Sequence, residues 1–174
     1  MVPKKLLFTG GEPLIYINLI NEIINCHPDS SSTEVQITTN GLLLRNGNID
    51  QVLKSIIKVD SLQLSFDIYH GSSLKEADIL EIKKYCEDNK IRFNISTCIS
   101  SLKQMLEIEK ISQRVDAEIT YQKVQASGRA KVENVEFEYP SFEEEVFSKR
   151  CPALDQVSYI CEKGFSTCCS NLIF

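Results

Sequence analysis

The feature that most constrains the fold is a regular alternation of strand patterns and helical patterns over the first two-thirds of the 174 residues. Strands that alternate with helices of about 10 to 15 residues are typical of βα units and a parallel sheet. Five strand patterns run from Lys4 to Phe8, Glu34 to Thr39, Ser61 to Phe66, Ile91 to Thr97 and Ala117 to Val124. The sequence therefore predicts an α/β fold.

Helical patterns follow the first four predicted strands. Pro13 opens the first, since proline suits the first position of a helix, and the others run from Asn48 to Lys58, Ser73 to Asp88 and Ser101 to Gln113. Right-handed crossovers then give all strands one direction, with the helices on the outside. Five units are too few for a closed eight-stranded barrel. Two alternatives remain, an open doubly wound sheet and a partial barrel.

The alternation stops after Val124. Residues 125–132 are predicted to form a loop, and the acidic stretch 133–150 a connection with a short helix. Residues 156–169 resemble a β-hairpin with Gly164 in its turn. The expected domains are residues 1–130, which carry the βα units, and residues 131–174, a linker with a small Cys-rich extension.

Composition and charge exclude several classes of protein. The net charge of −5 argues against a partner nucleic acid or an anionic membrane. No apolar run approaches the roughly 18 residues of a membrane span, and no secretory leader opens the sequence. Seven cysteines, an odd number, do not suit a disulfide scaffold. We therefore expect a cytoplasmic protein with reduced thiols, some of them candidate metal ligands.

Polar, glycine-containing segments follow the predicted strands, and ligands of parallel α/β folds bind at the carboxyl ends of strands. The most informative segment is Gly10-Gly11-Glu12-Pro13. Two glycines allow a close backbone approach to a ligand, and the carboxylate of Glu12 would repel phosphate and attract an ammonium group. The alternative is that Glu12 merely occupies a first helical turn, where the helix dipole favours acids.

Three motifs in order, FTGGEP, TTNG and SFD, resemble those of the radical S-adenosylmethionine (SAM) superfamily over about Lys4 to Val124. The resemblance implies a partial (β/α) barrel, with about five of six βα units visible here. It also implies that the GGEP loop binds the amino group of SAM, and that further residues contact its carboxylate or ribose. The cofactor-binding candidates are Gly10, Gly11, Glu12, Pro13, Asn40, Ser65, Asp67 and Ser96.

The family's C-x3-C-x2-C loop, which binds the catalytic 4Fe–4S cluster, is not found in this sequence. It would precede the GGEP strand, where only Met1, Val2 and Pro3 stand. Without three thiolates the chain cannot hold that cluster in the usual way. We expect a chain that lacks its amino-terminal cluster segment. Because the SAM-facing motifs are intact, truncation is favoured over a degenerate paralogue.

The carboxyl-terminal cysteines resemble the start of a SPASM or twitch extension, which holds auxiliary Fe–S clusters in peptide-modifying relatives. Twelve residues separate Cys151 from Gly164, and four separate Gly164 from Cys169. The candidate ligands for an Fe–S cluster or zinc are Cys151, Cys161, Cys168 and Cys169. The alternative is four cysteines without a metal. Two lesser candidates for ligand contact are His70 and Arg129.

The resemblance implies a radical SAM enzyme, or a truncated form of one. When complete, it would cleave SAM at its 4Fe–4S cluster to a 5′-deoxyadenosyl radical, with a peptide or protein as substrate and a flavodoxin or ferredoxin as reducing partner. Two alternatives stay open: an inactive relic that binds SAM or a partner, and a small Fe–S or zinc protein that uses the tail cysteines.

Overall fold

A computed structural model describes residues 3–67, 74–124, 132, 134, 157–160 and 164–166. The chain divides into two compact units, residues 1–124 and 125–174. The strands of the first unit are β1 (Lys5–Phe8), β2 (Glu34–Thr39), β3 (Ser61–Ser65), β4 (Arg92–Ile99) and β5 (Ile119–Lys123). Its helices are α1 (Ile17–Cys26), α2 (Ile49–Lys54), α3 (Glu76–Asp88) and α4 (Leu102–Val115), with short 3-10 helices at Pro13–Tyr16 and Leu42–Leu44.

The five strands form one parallel sheet in the order β1-β2-β3-β4-β5. The predicted α/β class and its parallel sheet are confirmed. A doubly wound sheet reverses its strand order at a switch point, and the five described strands show no reversal. With right-handed crossovers, this sequential order places the connecting helices on one face of the sheet.

The two faces of the sheet differ in chemistry. In β2, Val35, Ile37 and Thr39 are buried, while the residues between them are polar and partly exposed. The core lies between the buried face and the helices, and its members include Ile20, Ile24, Leu53, Leu62, Leu64, Ile79, Ile82 and Ile95. We call the opposite side the polar face; its residues include Thr38, Gln63, Ser65, Asn94, Ser96, Cys98, Thr120 and Gln122.

Two helices are shorter than the sequence predicts. Pro13 opens a 3-10 helix rather than the predicted α-helix, and α1 begins only after Tyr16, whose φ of −113° and ψ of 38° interrupt the regular turn. Helix α2 ends at Lys54, earlier than predicted. There the Ser55 hydroxyl donates to the carbonyl of Val52 at 2.6 Å, a local bond that competes with the helical pattern.

The second unit contains an antiparallel pair, β6 (Ser158–Ile160) and β7 (Gly164–Ser166). The rings of Tyr159 and Phe165 pack across it with centroids 5.1 Å apart. Gly164 is the first residue of β7, with a φ of +96°. Outside the described residues lie the four predicted metal ligands and both lesser candidates, namely Cys151, Cys161, Cys168, Cys169, His70 and Arg129.

Across the segments that the structure describes, every helix is too short or too polar to cross a lipid bilayer.

Candidate functional site

The loop after β1 contains two consecutive glycines with left-handed backbone conformations. The φ of Gly10 is +85° and that of Gly11 is +52°, values that residues with a side chain rarely adopt. Among the described residues, a Cβ placed on either glycine would meet no atom within 4 Å. The glycines therefore serve the path of the backbone, and no described residue fills the space beside them.

The carboxylate of Glu12 fixes the end of this loop. Its Oε1 accepts the backbone N–H of Leu14 at 3.1 Å and caps the 3-10 helix that begins at Pro13. The same oxygen accepts the hydroxyl of Thr39 at 2.8 Å, and Oε2 accepts the backbone N–H of Asn40 at 2.9 Å. The GGEP and TTNG motifs are thus joined through one side chain.

These contacts decide how much of Glu12 is available to a ligand. A carboxylate has about four acceptor positions, and three of those of Glu12 are filled by Leu14, Thr39 and Asn40. Glu12 therefore starts a helix, as the alternative interpretation expects, although from the N-cap rather than from the first turn. That it binds the ammonium group of a ligand stays a prediction.

The TTNG motif forms a tightly packed turn. The Oδ1 of Asn40 accepts the N–H of Leu42 at 2.9 Å, so this side chain holds the start of a 3-10 helix. Gly41 has a φ of +75°, and a Cβ there would lie 2.6 Å from Cδ1 of Leu64. A side chain at this position would have to displace Leu64 and adopt a strained backbone conformation. The side chain of Asn40 has a local role, and its predicted contact with a cofactor stays a prediction.

Three hydroxyl side chains lie in a row across β3, β4 and β5. The strand register pairs Ser65 with Ser96 and Ser96 with Thr120. Paired residues of neighbouring strands point to the same face, about 4.8 Å apart. The predicted residues Ser65 and Ser96 therefore lie side by side on the polar face. The β2–β3 register ends at the pair of Thr39 with Leu64, and Asn40 and Ser65 are the residues that follow this pair.

Asp67 lies just beyond Ser65, and its residue is 4% exposed. The negative charge of Asp67 interacts with Cys98 on β4. Burial raises the pKa of the Cys98 thiol, and the negative charge of Asp67 adds to that effect. Cys98 is partly exposed, and its Sγ lies 3.9 Å from Oε1 of Gln122. Cys98 therefore lies outside the core, whereas Cys86 on α3 is fully buried within it.

The structure brings together most of the predicted cofactor site at the carboxyl edge of the sheet. It also adds Thr39, which the sequence analysis did not single out. The alternating EVQITT pattern places Thr39 on the same side as the apolar residues Val35 and Ile37. A hydroxyl on a buried face needs a partner, so this alternation was the signal that could have pointed to Thr39.

Within the described ranges, no three His, Cys, Asp or Glu side chains approach one another closely enough to hold a metal ion. The three cysteines described there are separate: Cys26 is exposed, Cys86 is buried and Cys98 is partly exposed. The described part of the chain therefore does not supply a ligand set for an iron–sulfur cluster. The predicted set of tail cysteines stays a prediction.

Comparison with known proteins identifies a distant relative. No family model matches the chain. It is 32% identical over 108 residues to an uncharacterized protein of Methanocaldococcus jannaschii. The alignment covers 56% of this chain and 37% of that protein. The chain thus spans well under half the length of the relative it matches.

Proposed function

We propose that this chain binds SAM at the carboxyl edge of its sheet and forms the SAM-binding part of a radical SAM enzyme with a partial (β/α) barrel. One observation carries the proposal: the three motifs are neighbours at that edge, and the carboxylate of Glu12 connects the first to the second. The space beside Gly10 and Gly11, which no described residue fills, suits a ligand that approaches the backbone.

In this proposal, different residues of the site bind different parts of SAM. The loop of Gly10, Gly11, Glu12 and Pro13 holds the methionyl end, through main-chain groups and the remaining acceptor capacity of Glu12. The hydroxyls of Ser65 and Ser96, which can donate and accept, suit the carboxylate or the ribose of SAM. The carboxylate of Asp67 suits a ribose hydroxyl, for which it is an acceptor.

In a complete radical SAM enzyme, a 4Fe–4S cluster would supply the electron for the cleavage of SAM. Since the described residues offer no thiolate set for such a cluster, its ligands would have to come from another part of the protein. We propose that a further βα unit carries them and adds to the sheet next to β1, which among the described strands pairs only with β2.

The exposed flank of α1 supports this placement. Asn21 bonds to the backbone of Ser55 and Ile57, just after α2, and so marks the flank that faces α2. Leu19 precedes Asn21 by two positions, and Ile23 follows it by two positions. Each therefore lies about 160 to 200° around the helix from Asn21. They therefore point away from α2, and they remain 53% and 40% exposed. A helix and a strand beyond β1 would cover these apolar side chains.

The remaining parts of the proposal rest on the resemblance. The tail cysteines would hold an auxiliary Fe–S cluster, the substrate would be a peptide or protein to be modified, and a flavodoxin or ferredoxin would supply electrons in the cytoplasm. The protein's part in such chemistry is to orient the reactants and shield the radical. A rim of short polar side chains at one edge of the sheet suits that role.

Equilibrium dialysis with labelled SAM tests the proposed function. The variant Ser96→Ala removes one hydroxyl from the row and should weaken binding about fivefold, since a hydrogen bond contributes about 1 kcal/mol. The control is Ser32→Ala, an exposed serine in the turn before β2, at the opposite edge of the sheet. Equal SAM binding by both variants would contradict the proposed site.

Two further measurements test the cluster. Reading the coding DNA upstream of Met1 should reveal a C-x3-C-x2-C motif within roughly 30 codons, the length of one βα unit. Anaerobic reconstitution of the chain followed by an iron count tests the tail cysteines. A chain that binds SAM but has no such motif and takes up no iron would be a cluster-less SAM-binding protein instead of a radical SAM enzyme.

A further inference from the structure

We infer that Thr39 is a positioning residue: its buried hydroxyl holds the double-glycine loop in the conformation that receives the ligand. The identity of that ligand as SAM rests on the proposed function. The role of the hydroxyl rests on geometry alone, because it connects the loop after β1 to the turn after β2.

The hydroxyl of Thr39 makes two hydrogen bonds in opposite senses. It donates to Oε1 of Glu12 at 2.8 Å, and it accepts the backbone N–H of Gly41 at 3.0 Å. Thr39 is only 1% exposed, so water cannot replace either partner without opening the structure. One oxygen therefore orients the carboxylate of the first motif and fixes the turn of the second.

The double-glycine loop needs such an anchor because its own residues do not restrict it. Glycine samples positive and negative φ with similar ease, and Gly10 and Gly11 both have positive φ with no atom of the described residues where a side chain would stand. Holding a flexible loop in its binding conformation raises affinity by reducing the ordering entropy lost on binding. Glu12, at the end of the loop, is the residue through which Thr39 can do this.

The two hydrogen bonds of the Thr39 hydroxyl predict different effects for two substitutions. Thr39→Val keeps the shape but places a methyl group against the carboxylate of Glu12 and leaves the buried N–H of Gly41 without its acceptor. Thr39→Ser keeps the hydroxyl and loses a buried methyl group. A merely space-filling role predicts that serine is the more harmful change, whereas a positioning role predicts that valine is.

Amide hydrogen exchange measured by NMR on the ligand-free chain is the first test. In Thr39→Val, the amides of Leu14, Asn40 and Gly41 should exchange at least about tenfold faster, because a lost hydrogen bond of about 1.4 kcal/mol corresponds to that factor. In Thr39→Ser the exchange rates of these amides should stay within about threefold of the wild-type rates. The amides of Ile37 and Leu64, in the core strands, report global opening and separate it from local loosening.

The second test is the affinity of the same three proteins for SAM. We expect the dissociation constant for SAM to be about tenfold larger in Thr39→Val than in wild type. In Thr39→Ser it should return close to the wild-type value. Wild-type exchange at Leu14 and Asn40 in the valine variant, or equal loss in both variants, overturns the role of Thr39. Absence of SAM uptake by the wild-type chain overturns the proposed function, while the exchange data still decide whether Thr39 positions the loop.

Discussion

The hydroxyl of Thr39 donates a 2.8 Å hydrogen bond to Oε1 of Glu12, although the two residues are 27 positions apart in the chain. Two motifs that follow different strands are therefore one structural unit. Because β1 and β2 are parallel neighbours, their carboxyl ends meet at the same edge, and the long side chain of Glu12 reaches from one to the other.

We predict that Gly41→Ala strongly destabilises the protein. The new Cβ would lie 2.6 Å from Cδ1 of Leu64, and the φ of +75° disfavours a side chain. Overpacking and backbone strain together should lower the free energy of unfolding by about 2–4 kcal/mol. Denaturant unfolding measures this change.

Gly47→Ala is the matched control, because Gly47 has nearly the same φ, +76°, but no atom within 4 Å of a Cβ. It should cost only about 1 kcal/mol, from backbone strain alone. Equal losses in the two variants would show that Leu64 moves aside at little cost and that the turn is not tightly packed.

We predict that Gly10→Ala separates ligand binding from stability. No atom of the described residues lies within 4 Å of the added Cβ, so the free energy of unfolding should fall only by the backbone strain of about 1 kcal/mol, as in Gly47→Ala. Under the proposed function the methyl group occupies the space where SAM approaches, and SAM affinity should fall at least about tenfold. Calorimetric titration of both variants tests this; a Gly10→Ala protein that binds SAM as well as Gly47→Ala excludes the loop from the site.

The sequence predicted the strands well and the contacts between motifs less well. All five strands lie within two residues of their predicted ends, because alternating apolar residues and the intervening turns mark them clearly. Helix α2 is shorter than predicted. The apolar pattern continues past Ser55, whereas the hydroxyl of Ser55 ends the helix. The contact of Glu12 with Thr39 depends on strand order and face, which a linear pattern does not contain.

We predict that stability falls at alkaline pH through Cys86. Burial raises the pKa of this thiol from its ordinary value of 9.0 to about 12. The unfolded chain loses the proton near pH 9 while the folded chain retains it, so the stabilisation is complete below pH 9 and is lost as the pH rises towards 12. Denaturant unfolding of wild type and Cys86→Ala at several pH values measures the effect.

Each protein in that experiment is compared with its own stability at pH 8, so the cavity left by Cys86→Ala does not enter the comparison. Other groups also titrate in this range; burial raises the pKa of Tyr121 to about 12 as well. The variant should therefore show a shallower loss rather than none. If the stabilities of wild type and Cys86→Ala depended identically on pH, the thiol of Cys86 would contribute nothing to the loss of stability at alkaline pH.

We predict an order of thiol reactivity among the described cysteines. Cys26 is exposed and should be alkylated first, Cys98 is partly exposed with a raised pKa and should react more slowly, and Cys86 should react only on unfolding. The thiolate is the reactive form, so both burial and a raised pKa slow the reaction. Peptide mass spectrometry after timed iodoacetamide treatment gives the rates; labelling of Cys86 as fast as Cys26 would contradict the packing of α3 on the sheet.

An NMR titration of the isotope-labelled chain with SAM tests most directly whether the carboxyl ends of the strands bind SAM. We expect the amide signals of Gly10, Gly11, Ser65 and Ser96 to shift together along one saturation curve, while those of Ser32 and Thr33, before β2 at the opposite ends of the strands, do not shift. Adenosine alone should perturb only part of that set. No shift at millimolar SAM, or shifts confined to residues away from the carboxyl edge of the sheet, would contradict the account.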